Sequence, residues 1–140
     1  MKTNWTETIW TTKKCEQLIS KNVDIKIYEF LRTELTEMGC EVKAINGTDD
    51  HVHCVFNVNS KKSLDEIVKM VKGSSSSRIN QEGLIENKFV WEKGYDSCGI
   101  GKSELKKKVQ EILNQKSIHA DLSITVADEI YRMHEMEEDF

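Results

Sequence analysis

Apolar positions along the chain fall into two rhythms. From Trp5 to Thr12 the residues alternate, with Thr6, Thr8, Trp10 and Thr12 on one side, and the threonine and tryptophan content suits a strand. The period then lengthens. Ile25, Ile27, Tyr28, Leu31, Leu35 and Met38 form one helical stripe, with Asp24 as its N-cap and Gly39 as its stop. A strand over Cys40 to Ile45 follows, and Asn46-Gly47 is a strong hairpin signal, with Thr48-Asp49-Asp50 lengthening the connection. The next strand therefore runs antiparallel to it. In that strand His51, His53, Val55 and Asn57 share one face and Val52, Cys54, Phe56 and Val58 the other, so one side is core and the other carries two imidazoles.

Ser63-Leu64-Asp65-Glu66 is a capping box opening a second helix through about Lys72, with Leu64, Ile67, Val68 and Val71 inward, and Ser74 to Ser77 read as a loop or frayed helix end. Phe89-Val90-Trp91 and Tyr95 to Ile100 predict a further strand, or a hairpin around Glu92-Lys93-Gly94. Ser103 caps a third helix to about His119, packed through Leu105, Val109, Ile112 and Leu113, with Glu111 and Gln115 one turn apart on the adjoining face. A fourth helix spans about Thr125 to Glu135. The order β-α-β-β-α-β-α-α predicts an α+β fold in which helices cover an antiparallel sheet.

Composition adds bounds. A length of 140 residues, 38% of them hydrophobic, supplies one core, so residues 1–140 are read as one domain with an acidic segment at 127–140. No apolar run reaches membrane-spanning length and no signal peptide is legible, which makes a soluble cytoplasmic protein the expectation. The four cysteines are widely spaced, as for reduced thiols, and Cys54 lies in an apolar run as a core residue. The net charge of −4 disfavours a nucleic-acid partner. Its distribution weakens that objection, because the body without Asp128 to Phe140 holds 18 acids and 19 bases. Basic clusters stand at Lys61-Lys62, at Lys69, Lys72 and Arg78, and at Lys106-Lys107-Lys108, each also explicable as a solvated face.

Two histidines at i and i+2 of a strand can share one divalent ion, or form a hydrogen-bonded pair with no metal at all. Asp50-His51-Val52-His53 followed by an apolar strand resembles the motif of the HUH single-tyrosine transposases, small enzymes that move insertion sequences as single strands. The likeness includes Trp10-Thr11-Thr12-Lys13, Lys72-Gly73-Ser74-Ser75, Trp91-Glu92-Lys93-Gly94-Tyr95, Gln115 and His119, over roughly residues 5 to 135. It implies a ferredoxin-like, RRM-like β-α-β-β-α-β core with added C-terminal helices. It further implies a Mg or Mn site made by His51, His53 and Gln115, single-stranded or hairpin DNA as partner, and a homodimer. Lys13, Lys72, Arg78, Lys93 and Lys107 are the candidate DNA contacts.

The family's nucleophile is a tyrosine one turn before the glutamine, and this sequence has Glu111 there, in Glu111-Ile112-Leu113-Asn114-Gln115. Ile118 likewise replaces the first of a histidine pair. Glu111 has three readings: a metal ligand, a base that orients water, or an exposed glutamate in a protein that no longer cleaves. The expected function is therefore a transposase-like DNA-binding protein with a metal site but without tyrosine cleavage. The alternatives are an active metal-dependent transposase or endonuclease using Glu111 or another tyrosine (Tyr28, Tyr95 or Tyr131), and an interaction scaffold without metal.

Overall fold

The computed structural model describes residues 5–58 and 61–115. His119, the fourth helix, Tyr131 and the acidic segment lie outside them. The elements run β1 (Trp5–Thr11), α1 (Asp24–Glu37), β2 (Glu41–Gly47), β3 (His51–Asn57), α2 (Leu64–Gln81), β4 (Asp96–Gly99) and α3 (Leu105–Leu113). The strands form one antiparallel sheet in the order β2-β3-β1-β4, the α+β arrangement expected.

Register sorts the strand residues onto two faces, because paired residues point the same way. Opposite His53 stand Ile9 on β1 and Asn46 on β2, and opposite Val55 stand Glu7 and Ala44. Trp10 and Gly47 are paired with Val52, on the other face. That other face carries the larger core: Trp10, Val52, Cys54 and Phe56 pack with Ile27, Leu31 and Leu35 of α1 and Ile67, Val68 and Val71 of α2. A smaller core forms on the histidine face, where Trp5, Ala44, Val55 and Ile100 meet Ile112 of α3. The sheet is thus buried on both sides, and six of the seven β3 residues are buried, both histidines included. A bulge between Val42 and Ala44 shifts the register past Lys43, so that Ala44 stands opposite Val55 on the α3 side.

Several boundaries differ from the sequence reading. Helix α2 does not end near Lys72 but runs on to Gln81, and Ser74 to Ser77 lie inside it. Two of these serines bond within the helix or to its neighbours. Ser75 Oγ donates to Lys72 O and accepts from Trp91 Nε1 at 2.9 Å, while Ser76 Oγ donates to Gly73 O. Ser63 is the N-cap of α2, accepting from the Glu66 N–H. Asp24 is the first helical residue of α1, with Val23 in the cap position, because the turn from Ser20 already bonds the N–H groups of Val23 and Asp24. Ile25, placed in the apolar stripe, is 69% exposed, and so is most of Leu113. Ser103 sits within a 3₁₀ turn at Lys102–Glu104, closed by Glu104 N–H to Gly101 O, so Glu104 precedes α3.

Asn46 and Gly47 remain in β2 rather than forming the turn, which Thr48 closes by donating its N–H to His51 O. The segment at Phe89 to Glu92 makes only an isolated bridge, Thr12 to Trp91, along the end of β1. Asn80 of α2 holds it, accepting from Phe89 N–H at 2.7 Å and donating to Phe89 O at 3.0 Å.

Gly47 is required by close approach. A Cβ there would lie 2.1 Å from His51 O, and that atom belongs to the backbone of the paired strand. Gly47→Ala is expected to lower stability by about 1–3 kcal/mol through overpacking against β3. Chemical denaturation measures it, and an unchanged midpoint would show that the strands part without strain.

Candidate metal centre

The α3 face of the sheet gathers His51, His53, Glu7 and Lys108, all buried. Strand alternation places the two imidazoles on the same side, with ring centroids 5.2 Å apart and planes at 70°. Each ring has its Nδ1 edge against a carboxylate. His51 Nδ1 lies 2.7 Å from Asp50 Oδ1 and 2.8 Å from Thr48 Oγ1. The Thr48 hydroxyl donates its own proton to Asp50 Oδ1 at 3.0 Å, so both neighbours of Nδ1 act as acceptors. That arrangement favours the tautomer with the proton on Nδ1 and the lone pair on the buried Nε2. His53 Nδ1 faces Glu7 Oε2 at 3.6 Å, an ion-pair distance longer than a hydrogen bond.

Gln115 follows the last turn of α3. Asn46, the cross-strand partner of His53, fastens that end of the helix by donating to Ile112 O at 3.0 Å and Leu113 O at 3.1 Å. Gln115 is buried, with Nε2 3.5 Å from Glu111 O, and its buried Oε1 accepts no hydrogen bond among the described residues. A buried amide oxygen left this way costs about 1–3 kcal/mol, a cost that a bound cation would offset. No group of three or more His, Cys, Asp and Glu able to hold a metal ion occurs among the described residues. Gln115 Oε1 is the candidate third ligand that the sequence offers beside the two histidines. Two imidazoles and an amide oxygen on one ion would fill three positions and leave others for substrate oxygens. Asp50 and Glu7, on the Nδ1 side, have the place of carboxylates that orient metal-binding histidines.

Sequence reasoning missed Glu7 and Lys108. Glu7 is 3% exposed between Trp5 and Ile9 on the histidine face, and a charge at that alternating position was the available signal. Lys108 had been grouped with Lys106 and Lys107, which are exposed, yet it shares the i, i+3, i+4 spacing of Leu105, Val109 and Ile112 and is 6% exposed. Its Nζ lies 3.4 Å from Glu7 Oε1 and 3.6 Å from Glu111 Oε2. Burial alone would raise the Glu7 carboxyl, but His53 and Lys108 outweigh it and hold Glu7 below the usual range. Glu111 is half-exposed, its carboxylate turned toward Lys108.

The proposed DNA contacts do not assemble around this site. Lys107 is exposed on α3, and Lys13 is exposed in the turn after β1. Lys72, Arg78 and Lys93 belong to the α2 side of the sheet. Lys72 donates to Glu92 O at 2.6 Å and Gly94 O at 2.7 Å, and burial lowers its pKa. Arg78 lies 4.3 Å from the Phe30 ring centroid and 3.9 Å from Glu82 Oε2. With Lys69, Trp91 and Tyr95, Lys72 and Lys93 line a groove of about 400 Å³ beside α2. The two described tyrosines that could serve as nucleophiles pack against the larger core. Tyr28 is pushed well above the ordinary range by burial and Asp24, and Tyr95, bonded to Asp65, is raised to about 12, chiefly by burial.

A family model described as Transposase IS200 like matches residues 2–116. The ISDra2 transposase TnpA of Deinococcus radiodurans is 28% identical over 71 residues, 51% of each chain, so the chain spans about half the length of this curated relative. A crystal structure from Deinococcus radiodurans R1, described as a transposase, superposes with a TM-score of 0.66 at 22% identity, covering 82% of this chain and 92% of the other. A REP-associated tyrosine transposase bound to a REP hairpin superposes with a TM-score of 0.64 at 12% identity, covering 85% of this chain and 70% of the other. These two likenesses show the fold. No described helix is long and apolar enough to cross a membrane.

Glu7→Gln tests the charge network. A carboxylate with a depressed folded pKa stabilises the fold above its unfolded value, about 4.5 here, and that contribution is lost as pH falls through the folded value. The variant should be less stable than the native chain by about 3 kcal/mol near neutral pH, with the gap closing in acid. Denaturation curves at several pH values measure it. A gap independent of pH would mean that Glu7 is not ionised in the network.

Proposed function

The chain belongs to the IS200-like transposase family, and from that premise we propose that one transposase-like domain binds single-stranded or hairpin DNA, with a divalent Mg or Mn ion held by His51, His53 and Gln115. We propose also that Glu111 stands at the position of the family's nucleophilic tyrosine, so that cleavage through a phosphotyrosine is lost, and that the protein works as a homodimer. The reading rests on the two imidazoles whose Nδ1 edges face Asp50 and Glu7 on the sheet face covered by α3. The buried Gln115 oxygen supports it from the helix.

When bound, the ion would supply Lewis acidity to a phosphate oxygen and to the leaving 3′ oxygen. Asp50 and Glu7 orient the rings, Asn46 fixes the end of α3, and Thr48 keeps Asp50 in place. Exposed Lys13, Lys93 and Lys107 would bind phosphates by charge, without reading sequence. Lys72 and Arg78 contribute less, since each already has partners in the fold.

The Glu111 carboxylate is half-exposed and lies 3.6 Å from the Lys108 ammonium. Tyr28 and Tyr95 are no replacement, being packed on the α2 side with phenols held protonated. A second reading, metal-dependent hydrolysis with Glu111 orienting water, is favoured only by its place one turn before Gln115.

The test is to incubate the native protein and Mn with an end-labelled single-stranded hairpin. Retarded DNA with neither a covalent protein-DNA band nor nicked product is expected. A covalent band from the native chain would contradict the loss of the tyrosine route, and unlinked metal-dependent nicks would support the second reading. Glu111→Tyr should restore the covalent band. Its absence from a variant that still binds Mn and DNA would show that Glu111 is not at the nucleophile position.

A further inference from the structure

Helix α3 turns one of three consecutive lysines inward. Lys106 and Lys107 are exposed, whereas Lys108 is buried against the sheet face that carries the histidines. Its ammonium lies 3.4 Å from one oxygen of Glu7, and the other oxygen of Glu7 lies 3.6 Å from His53 Nδ1. One buried carboxylate is therefore shared between a fixed cation and an imidazole of the candidate metal centre. We propose that Lys108 is a built-in cation that lowers the affinity of the His51, His53 and Gln115 site for divalent metal, acting through Glu7. This inference rests on the metal reading above.

Two effects of Lys108 run in the same direction. A buried positive charge raises the energy of a dication placed near it, and water screens such a pair only weakly in the interior. Lys108 also draws on the Glu7 charge that would otherwise polarise His53 and raise its basicity toward a metal. Glu7 and Lys108 are positioning residues in this account, because neither needs to touch the ion. A merely structural role predicts something different: loss of either partner would weaken the fold, and metal affinity would stay the same or fall in both variants.

The experiment is Mn titration of the full chain at fixed neutral pH, read by calorimetry or by the electron paramagnetic resonance of free Mn. Lys108→Met should bind Mn about tenfold or more tightly than the native chain, and Glu7→Gln about tenfold or more weakly. Lys108→Arg, which keeps the charge, should stay near the native affinity. Loss of Lys108 also releases Glu111, so Lys108→Met is repeated with Glu111→Gln, where the tightening should persist. Should Lys108→Met fail to fold, Glu7→Gln and Lys108→Arg still decide the matter, since an unaltered affinity in Glu7→Gln overturns the proposal. Equal or weaker binding in Lys108→Met overturns it too, as does tightening that vanishes with Glu111→Gln. If the native chain binds Mn in a His51-dependent manner and Lys108→Met leaves the affinity unmoved, only this inference falls. If neither chain binds millimolar Mn, the metal reading falls with it.

Discussion

A sheet buried on both faces has no solvent side on which to place polar side chains. The larger face of this one is filled by Trp10, Val52, Cys54 and Phe56 against α1 and α2, which leaves His51, His53 and Glu7 under α3. Each of these groups would be costly there alone, so the face is stable only if they satisfy one another. Asp50 and Thr48 meet His51, Glu7 meets His53, and Lys108 meets Glu7. The position of α3 follows from that arrangement as much as from Ile112, since Lys108 and the Asn46 bonds to Ile112 and Leu113 are its polar attachments to the sheet.

The same pairing explains how a modest dipeptide spacing becomes a site. Imidazoles at i and i+2 on a strand are common surface features, but here both are buried and both present Nδ1 to an acid. We propose that a divalent ion meets the two rings on this face, with the buried Gln115 oxygen from the adjoining helix. Cleavage chemistry is a separate matter. Glu111 is half-exposed and paired with the buried Lys108, and the described tyrosines belong to the other side of the sheet.

Much of the fold was legible because alternation and helical spacing are local. β1, β3 and the Ser63 cap of α2 were read from Thr-Trp alternation, from His51-Val52-His53-Cys54 and from Ser63 to Glu66. The errors arose where a distant partner overrode local preference. Ser74 to Ser77 stayed helical because Ser75 is buried against Trp91, and Asn46-Gly47 stayed in the strand because Asn46 bonds α3 while Gly47 passes over His51 O. The site was legible only in part for the same reason. His51, His53 and Gln115 came from a resemblance between motifs, whereas Glu7 and Lys108 lie far apart in sequence and meet only when α3 packs on β1. A lysine amid Lys106 and Lys107 looks like surface until the helix is docked.

The central claim is that Asp50 and Thr48 hold His51 with its proton on Nδ1, so that Nε2 is the atom proposed to meet a divalent ion. Long-range proton–nitrogen spectra of the imidazoles at neutral pH report it directly, with Mg added as the diamagnetic ion. The account predicts the Nδ1–H tautomer at His51, and movement of its Nε2 resonance as Mg is added. The Nε2–H tautomer at His51, or an Nε2 resonance that stays in place at saturating Mg, would contradict it.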